Sequence, residues 1–345
     1  NGAPYRLTLY RNKAYRCGRT GYHTFLVVEP MATLGQPAPL WVYLRGGGAG
    51  YYAMGGVYVG EESLNDEWSL GVHANALYGV AFTGGLNNPT TKATVAGKRV
   101  EDGYRLVSPS FCDHDLYLGV GQDYPNDPHW GGEDTVDGLL ATMAAIDFSA
   151  NGNGRLEGHH GTHVFVHGSS AGSPGAYAVA HAFGRAGVHL TGAVLDAFIL
   201  SDGLLPLFDA GCTELQKAYP GFQIAEATVK NGPFAGDPTL YLDATLPGDL
   251  YDTPSFALLG GQDGFCCGAE APVAGAIADG YTNNCEWAYR DPFAALGDAQ
   301  SPLFGSLYLK GKGHVLTKDV DPTVHGPIEA WYQAVLAADP APPWP

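Results

Sequence analysis

The stretch Val164-Phe165-Val166-His167-Gly168-Ser169-Ser170-Ala171-Gly172-Ser173 decides the reading of the fold. An apolar run, Thr162–His167, leads into a serine between glycines, and an Ala-rich stretch with helical character, Ala171–Phe183, follows it. Gly168, Ser170 and Gly172 fit the G-x-S-x-G pattern, whose serine stands on a sharp turn from strand to helix. Side chains at the flanking positions would collide with neighbouring backbone, which is why glycines occupy them. The turn lifts the Ser170 hydroxyl above a sheet edge and aims the positive end of a helix at it. Chance matches are not rare in a chain with 49 glycines. The strand before and the helix after single this one out, and Ser169 and Ser173 are out of frame.

Working outward, compact apolar runs alternate with helical patterns. Tyr5–Tyr10 and Thr24–Glu29 read as an opening antiparallel pair. Leu40–Arg45, Ala76–Thr83, Asp115–Val120, Thr191–Ile199, Ser255–Gly260 and Ser306–Lys310 read as strands, their near-continuous hydrophobicity being what burial on both faces requires. Thr135–Phe148 and Pro327–Ala337 read as helices beside Ala171–Phe183. Strand, helix and strand in series predict an α/β fold, a mostly parallel sheet with helices on both faces. With the serine turn, that pattern is the α/β-hydrolase architecture. Residues 1–337 are expected to form one catalytic domain, with a cap-like insertion around 201–252 where Gly, Pro and Asp break the rhythm. Ala338–Pro345 reads as a Pro-rich tail or linker.

Three further pieces fall into place around Ser170. Leu40–Arg45 runs straight into Gly46-Gly47-Gly48-Ala49-Gly50, well upstream of the serine. Acyl transfer needs backbone N–H donors aimed at a developing oxyanion. Gly48, Ala49 and Ala171 are the expected donors, and Tyr51 and Tyr52 are candidates to wall a substrate pocket. A phosphate cradle would need the Lys and Ser or Thr of a Walker loop, which this stretch lacks. The base should follow the last strand, and Gly313-His314 does so; His325 is the rival, heading the closing helix. The acid should lie between serine and histidine in the chain. Asp263, in the Gly-rich turn after Ser255–Gly260, is favoured over Asp196, at the end of the preceding strand, and over Asp202.

Bulk properties narrow the partners. A formal charge of -17, with only 18 Lys plus Arg, repels phosphate backbones, so nucleic acid is not an expected partner. Neutral or aromatic esters suit that charge. No apolar run approaches the roughly 18 residues a membrane span needs. Six cysteines, at positions 17, 112, 212, 266, 267 and 285, lie outside zinc-site spacing and suit disulfides in an oxidising compartment. A chain starting at Asn1 reads as a processed start, and a secreted or periplasmic location is expected. Asp147, Ser149, Asn151 and Gly152 mimic the opening of a calcium loop. Gly158 stands where its closing glutamate should be and Glu157 falls one residue short, so a solvated turn is read there. No metal and no cofactor are expected, and the sequence leaves the oligomeric state open.

The chain resembles the pectin acetylesterase and Notum-type carboxylesterases. Leu44-Arg45-Gly46-Gly47-Gly48, Gly168–Gly172, Asp263 and Gly313-His314 carry the likeness, in order, from Leu40 to Val315. The resemblance implies a secreted, disulfide-bearing α/β-hydrolase that removes acyl groups from carbohydrate or protein. It implies Ser170, Asp263 and His314 as the triad, and Gly48, Ala49 and Ala171 as oxyanion donors. The family usually continues its glycine loop with Trp and Cys, where this chain has Ala49 and Gly50, opening space beside the serine. The expectation is therefore a serine carboxylic-ester hydrolase acting on neutral short-chain, aryl or polymeric esters. Alternatives are a pectin or xylan acetylesterase, a serine peptidase or amidase, and an inactive binding protein of the same fold.

Overall fold

In a computed structural model of the chain, the described residues are 5–15, 22–46, 52–53, 57–58, 94–111, 115–123, 135–151, 161–188, 190–197, 253–263, 272, 274–287, 304–318 and 321–338. Eight strands form one sheet: β1 (Tyr5–Asn12), β2 (His23–Pro30), β3 (Ala38–Leu44), β4 (Arg105–Pro109), β5 (Gly161–Ser169), β6 (Gly192–Asp196), β7 (Ser255–Gly260) and β8 (Gly305–Leu309). Their spatial order is β1-β2-β4-β3-β5-β6-β7-β8. The opening pair is antiparallel, with Tyr5 opposite Pro30 and Asn12 opposite His23. β2 also runs against β4, while every pairing from β4 through β8 is parallel.

Alternation along the central strands feeds two cores. Leu40, Val42, Leu44, Val164 and Val166 face one side with α2 (Gly138–Ala150) and α3 (Gly172–Arg185). Trp41, Tyr43 and Phe165 face the other, with α1 (Val95–Glu101) and α5 (Pro322–Ala338). There Trp41 stacks on Phe165 at 5.3 Å, and Tyr332 of α5 lies 5.2 Å from the same ring. Each such fully buried side chain contributes about 1.5–3 kcal/mol relative to exposure. The period of two within strands buried on both faces explains their near-continuous apolar sequence. A short helix, α4 (Ala274–Ala278), lies between β7 and β8 in the chain.

Several expected elements differ. Asp115–Val120 is a turn rather than a strand: Leu116 and Tyr117 are left-handed, with φ of 60° and 57°. The buried Asp115 carboxyl imposes that turn by accepting the N–H groups of Tyr117 and Gly119 at 2.9 Å and of Gly138 at 3.1 Å. The strand at this place in the sheet is β4, and α1 before it is capped by Thr94, whose hydroxyl accepts the Gly97 N–H. Thr135 and Val136 belong to a small antiparallel ribbon with Gln122 and Asp123, so α2 begins at Gly138. α5 begins at Pro322, with Pro327 within its first two turns, and it reaches Ala338. Ala76–Thr83, the 201–252 insertion and residues 339–345 lie outside the described residues.

The strand order fixes where a site can form. After β3 the chain moves to β4 on one side, whereas β5 lies on the other side of β3. Such a switch point leaves a crevice beyond the carboxyl ends of the strands. Leu44 at the end of β3 pairs with Gly168, one residue before the end of β5, so Gly46 and the Ser170 turn leave the sheet side by side.

Candidate active site

Ser170 follows β5 directly and precedes α3 by one residue. Its φ is 56°, a left-handed conformation that costs a non-glycine residue on the order of 1–3 kcal/mol. The turn is pinned on both sides: the Ser170 N–H donates to the Asp196 carbonyl at 2.8 Å, and the Ser173 N–H donates to the Ser170 carbonyl at 2.9 Å. The flanking glycines are steric necessities. A Cβ on Gly168 would meet the Gly172 carbonyl oxygen at 2.1 Å, and one on Gly172 would meet the Leu44 carbonyl oxygen at 2.0 Å.

The histidine and aspartate arrive on two stitched loops. The Gln262 N–H donates to the Lys312 carbonyl at 2.8 Å, and the Gly261 N–H donates to the Leu309 carbonyl at 3.0 Å. Gly260 makes the crossing possible, because a Cβ there would lie 2.1 Å from the Gly313 carbonyl oxygen. His314, on the loop after β8, brings Nε2 to 2.6 Å from Ser170 Oγ and Nδ1 to 2.8 Å from Asp263 Oδ2. Asp263 is fully buried and His314 largely so. With its proton on Nδ1, the imidazole donates to the carboxylate and accepts the Ser170 hydroxyl proton. That arrangement can remove the proton from Oγ as the oxygen attacks an electrophile.

The structure thus brings Ser170, His314 and Asp263 into one hydrogen-bonded line. Ala171, next to the serine, stands at the N-terminus of α3. Gly48, Ala49 and Tyr51 lie outside the described residues; of Tyr52 only the backbone is described, paired with Tyr58. Gly46, outside the expected donor set, lies against the serine: a Cβ there would lie 2.5 Å from Ser170 Cβ. His325 lies in the first turn of α5, its N–H donating to the Asp321 carbonyl. Asp196 does not hold the imidazole. It accepts the N–H groups of Leu316 and Thr317, both at 2.8 Å, just beyond His314. Asp147 and Asn151 bond to each other through their side chains at the end of α2. Among the described residues no group of three His, Cys, Asp or Glu side chains could hold a metal, and no helix is long and apolar enough to cross a membrane.

Behind the serine turn lies a second histidine. His167 is buried, with Nε2 at 3.2 Å from the Thr317 hydroxyl and 3.4 Å from Ser169 Oγ. Burial drives its imidazole down to about 3, from 6.5 in an unhindered chain. Between those values the unfolded chain binds one more proton than the native one, so this group makes stability fall as the pH is lowered. Asp115 acts in the opposite sense: burial raises its carboxyl from 3.8 to about 6, so its contribution falls as the pH rises through that window. Comparing His167→Asn with wild type cancels the Asp115 term. The stability advantage of wild type over the variant is expected to shrink by up to about 1.4 kcal/mol for each pH unit below roughly 6.5. Urea unfolding at a series of pH values measures it, and a difference constant from pH 7 to pH 3.5 would contradict a neutral buried imidazole.

No protein-family profile and no curated protein sequence matches the chain. Solved structures do. A bacterial heroin esterase aligns with a TM-score of 0.50 at 16% identity, covering 96% of this chain and 83% of that one. An esterase B from Lactobacillus Rhamnosis aligns at 0.48 and 13% identity, covering 96% and 85%. Carboxyl esterase 2 from the mycorrhizal fungus Tuber melanosporum aligns at 0.46 and 13% identity, covering 97% and 86%. The likeness to the heroin esterase is one of fold. With the sheet order and the serine turn, it places the chain in the α/β-hydrolase fold class.

Proposed function

We propose that this protein is a serine carboxylic-ester hydrolase that works through an acyl-enzyme on Ser170. The observation that carries the reading is the unbroken line from Ser170 Oγ through His314 to Asp263, at 2.6 and 2.8 Å, on a left-handed serine turn. In the proposed cycle Oγ attacks the ester carbonyl carbon while His314 Nε2 takes its proton. The buried Asp263 carboxylate stabilises the imidazolium and holds Nδ1–H toward itself. The Ala171 N–H, at the helix start, faces the developing oxyanion, and Gly48 and Ala49 supply the remaining donors. The imidazolium then protonates the leaving alkoxide, which departs as an alcohol and leaves the acyl group on Ser170. Water attacks that ester, giving its proton to Nε2, and the carboxylic acid is released with Oγ re-protonated.

For the substrate we propose a neutral short-chain, aryl or polymeric ester, consistent with the charge of -17. The second reading is a carbohydrate acetylesterase, favoured by the motifs shared with the pectin acetylesterase and Notum-type enzymes. Rates on p-nitrophenyl esters of graded length, a polyester film, acetyl-xylan and acetyl-pectin separate the two. Turnover of the first two classes is expected; turnover confined to acetyl-pectin would establish the second reading. Hydrolysis of no ester would remove both. An oxidising, extracellular or periplasmic setting is also proposed, supported by the six cysteines, of which Cys285 is wholly buried.

A further inference from the structure

We propose that Asp196 is a positioning residue that ties the Ser170 turn to the His314 loop and so sets their proton-transfer distance, a role that rests on the hydrolytic reading above. Asp196 ends β6 and is fully buried between the two segments. Its backbone carbonyl serves the serine side, accepting the Ser170 N–H at 2.8 Å and the Ser173 hydroxyl at 2.5 Å. Its carboxylate serves the histidine side. Oδ1 accepts the Leu316 N–H, and Oδ2 accepts both the N–H and the hydroxyl of Thr317. One residue therefore bonds to the nucleophile's own amide and to the backbone two and three positions beyond the base.

A second path closes the ring beneath the site. The Thr317 hydroxyl lies 3.2 Å from His167 Nε2, which lies 3.4 Å from Ser169 Oγ, and the Tyr43 hydroxyl donates to Ser169 Oγ at 3.3 Å. The histidine loop is thus coupled to the residue preceding Ser170 as well as to Ser170 itself.

Backbone strain gathers at the same place. Among the described residues five non-glycine positions are left-handed, and three of them are Ser170, Ala197 and Val315. Ser170 is held by the Asp196 carbonyl, Ala197 is the next residue in the chain, and Val315 separates His314 from the two amides that the carboxylate grips. Such conformations persist only where the surroundings over-determine them. Without the carboxylate, Val315 has reason to relax toward right-handed backbone, and that rotation swings His314. A misplacement of about 1 Å in such a constellation costs on the order of 100-fold in rate.

The test is steady-state hydrolysis of a p-nitrophenyl ester by Asp196→Asn, Thr317→Val and Ser170→Ala beside wild type, with thermal unfolding of each. Asparagine presents an NH2 donor to amides that are themselves donors, so it breaks the grip at nearly unchanged size. The expected result is a kcat about 30- to 100-fold lower for Asp196→Asn, with KM changed less than about 2-fold. Thr317→Val, which loses the hydroxyl alone, is expected to lose about 3- to 10-fold in kcat. A merely structural residue would lower the melting temperature and leave kcat and KM of the folded protein unchanged, and that result overturns the proposal. If Asp196→Asn does not fold, Thr317→Val decides: wild-type kcat in it also overturns the proposal. Wild-type turnover by Ser170→Ala would instead bring down the hydrolytic reading itself.

Discussion

Replacing Ser170 by alanine is expected to lower kcat for ester hydrolysis by about 10⁴- to 10⁶-fold while leaving the fold intact. The substitution deletes one oxygen and removes no hydrogen bond that holds the turn, because those bonds use the backbone of residues 170 and 173 and the Ser173 side chain. The left-handed φ of 56° is no worse for alanine than for serine. What remains should be the slow attack of water assisted by His314 and by whatever donors face the oxyanion. Near-UV circular dichroism and a melting temperature close to wild type would accompany the loss. A folded Ser170→Ala protein with a kcat within ten-fold of wild type would be incompatible with an acyl-enzyme on this residue.

The second large effect is expected from Asp263→Asn, a loss of about 10⁴-fold in kcat. The side chains are nearly isosteric, so the cause is protonic rather than steric. A carboxylate at 2.8 Å from Nδ1 keeps the proton there and leaves Nε2 as an acceptor facing Ser170 Oγ. An amide nitrogen turned toward Nδ1 donates to it and moves the imidazole proton to Nε2. The base then faces its nucleophile with a donor, and no buried negative charge remains to stabilise the imidazolium. Rates measured across pH should show the loss easing where hydroxide replaces the base. A loss below ten-fold at neutral pH would show that Asp263 does not orient the imidazole.

The parts of this molecule that sequence made legible share one property: their signals are local. An apolar strand, a glycine and a chemically distinctive residue follow one another at 164–172, at 255–263 and at 305–314, and the sheet brings those three segments together. β4 failed that test because only Leu106 and Val107 announce it. Arg105 is at home in this strand through the Glu29 carboxylate and the Ser149 carbonyl, partners far away in sequence. Asp115–Val120 failed it in reverse. Its apolar run looks like a strand, but the buried Asp115 carboxyl gathers three backbone N–H groups and bends the chain into left-handed conformations. Asp196 was legible as a rival for the triad acid at a strand end, and its role as a tether between the two loops was not. Its hold on residues 316 and 317 depends on a loop 120 positions away, for which no spacing pattern exists. Gly46 likewise looked like the first of several loop glycines, and only the packing of β3 against β5 shows that it must clear the serine.

The most direct test of the central claim is covalent. Wild-type protein treated with a fluorophosphonate probe and digested for peptide mass mapping should carry one adduct per chain, on Ser170. The rate of labelling should fall by orders of magnitude in His314→Ala, because the probe needs the same deprotonated oxygen as an ester does. A probe bound elsewhere, or an ester-hydrolysing protein that takes up none, would contradict the assignment of Ser170 as the nucleophile.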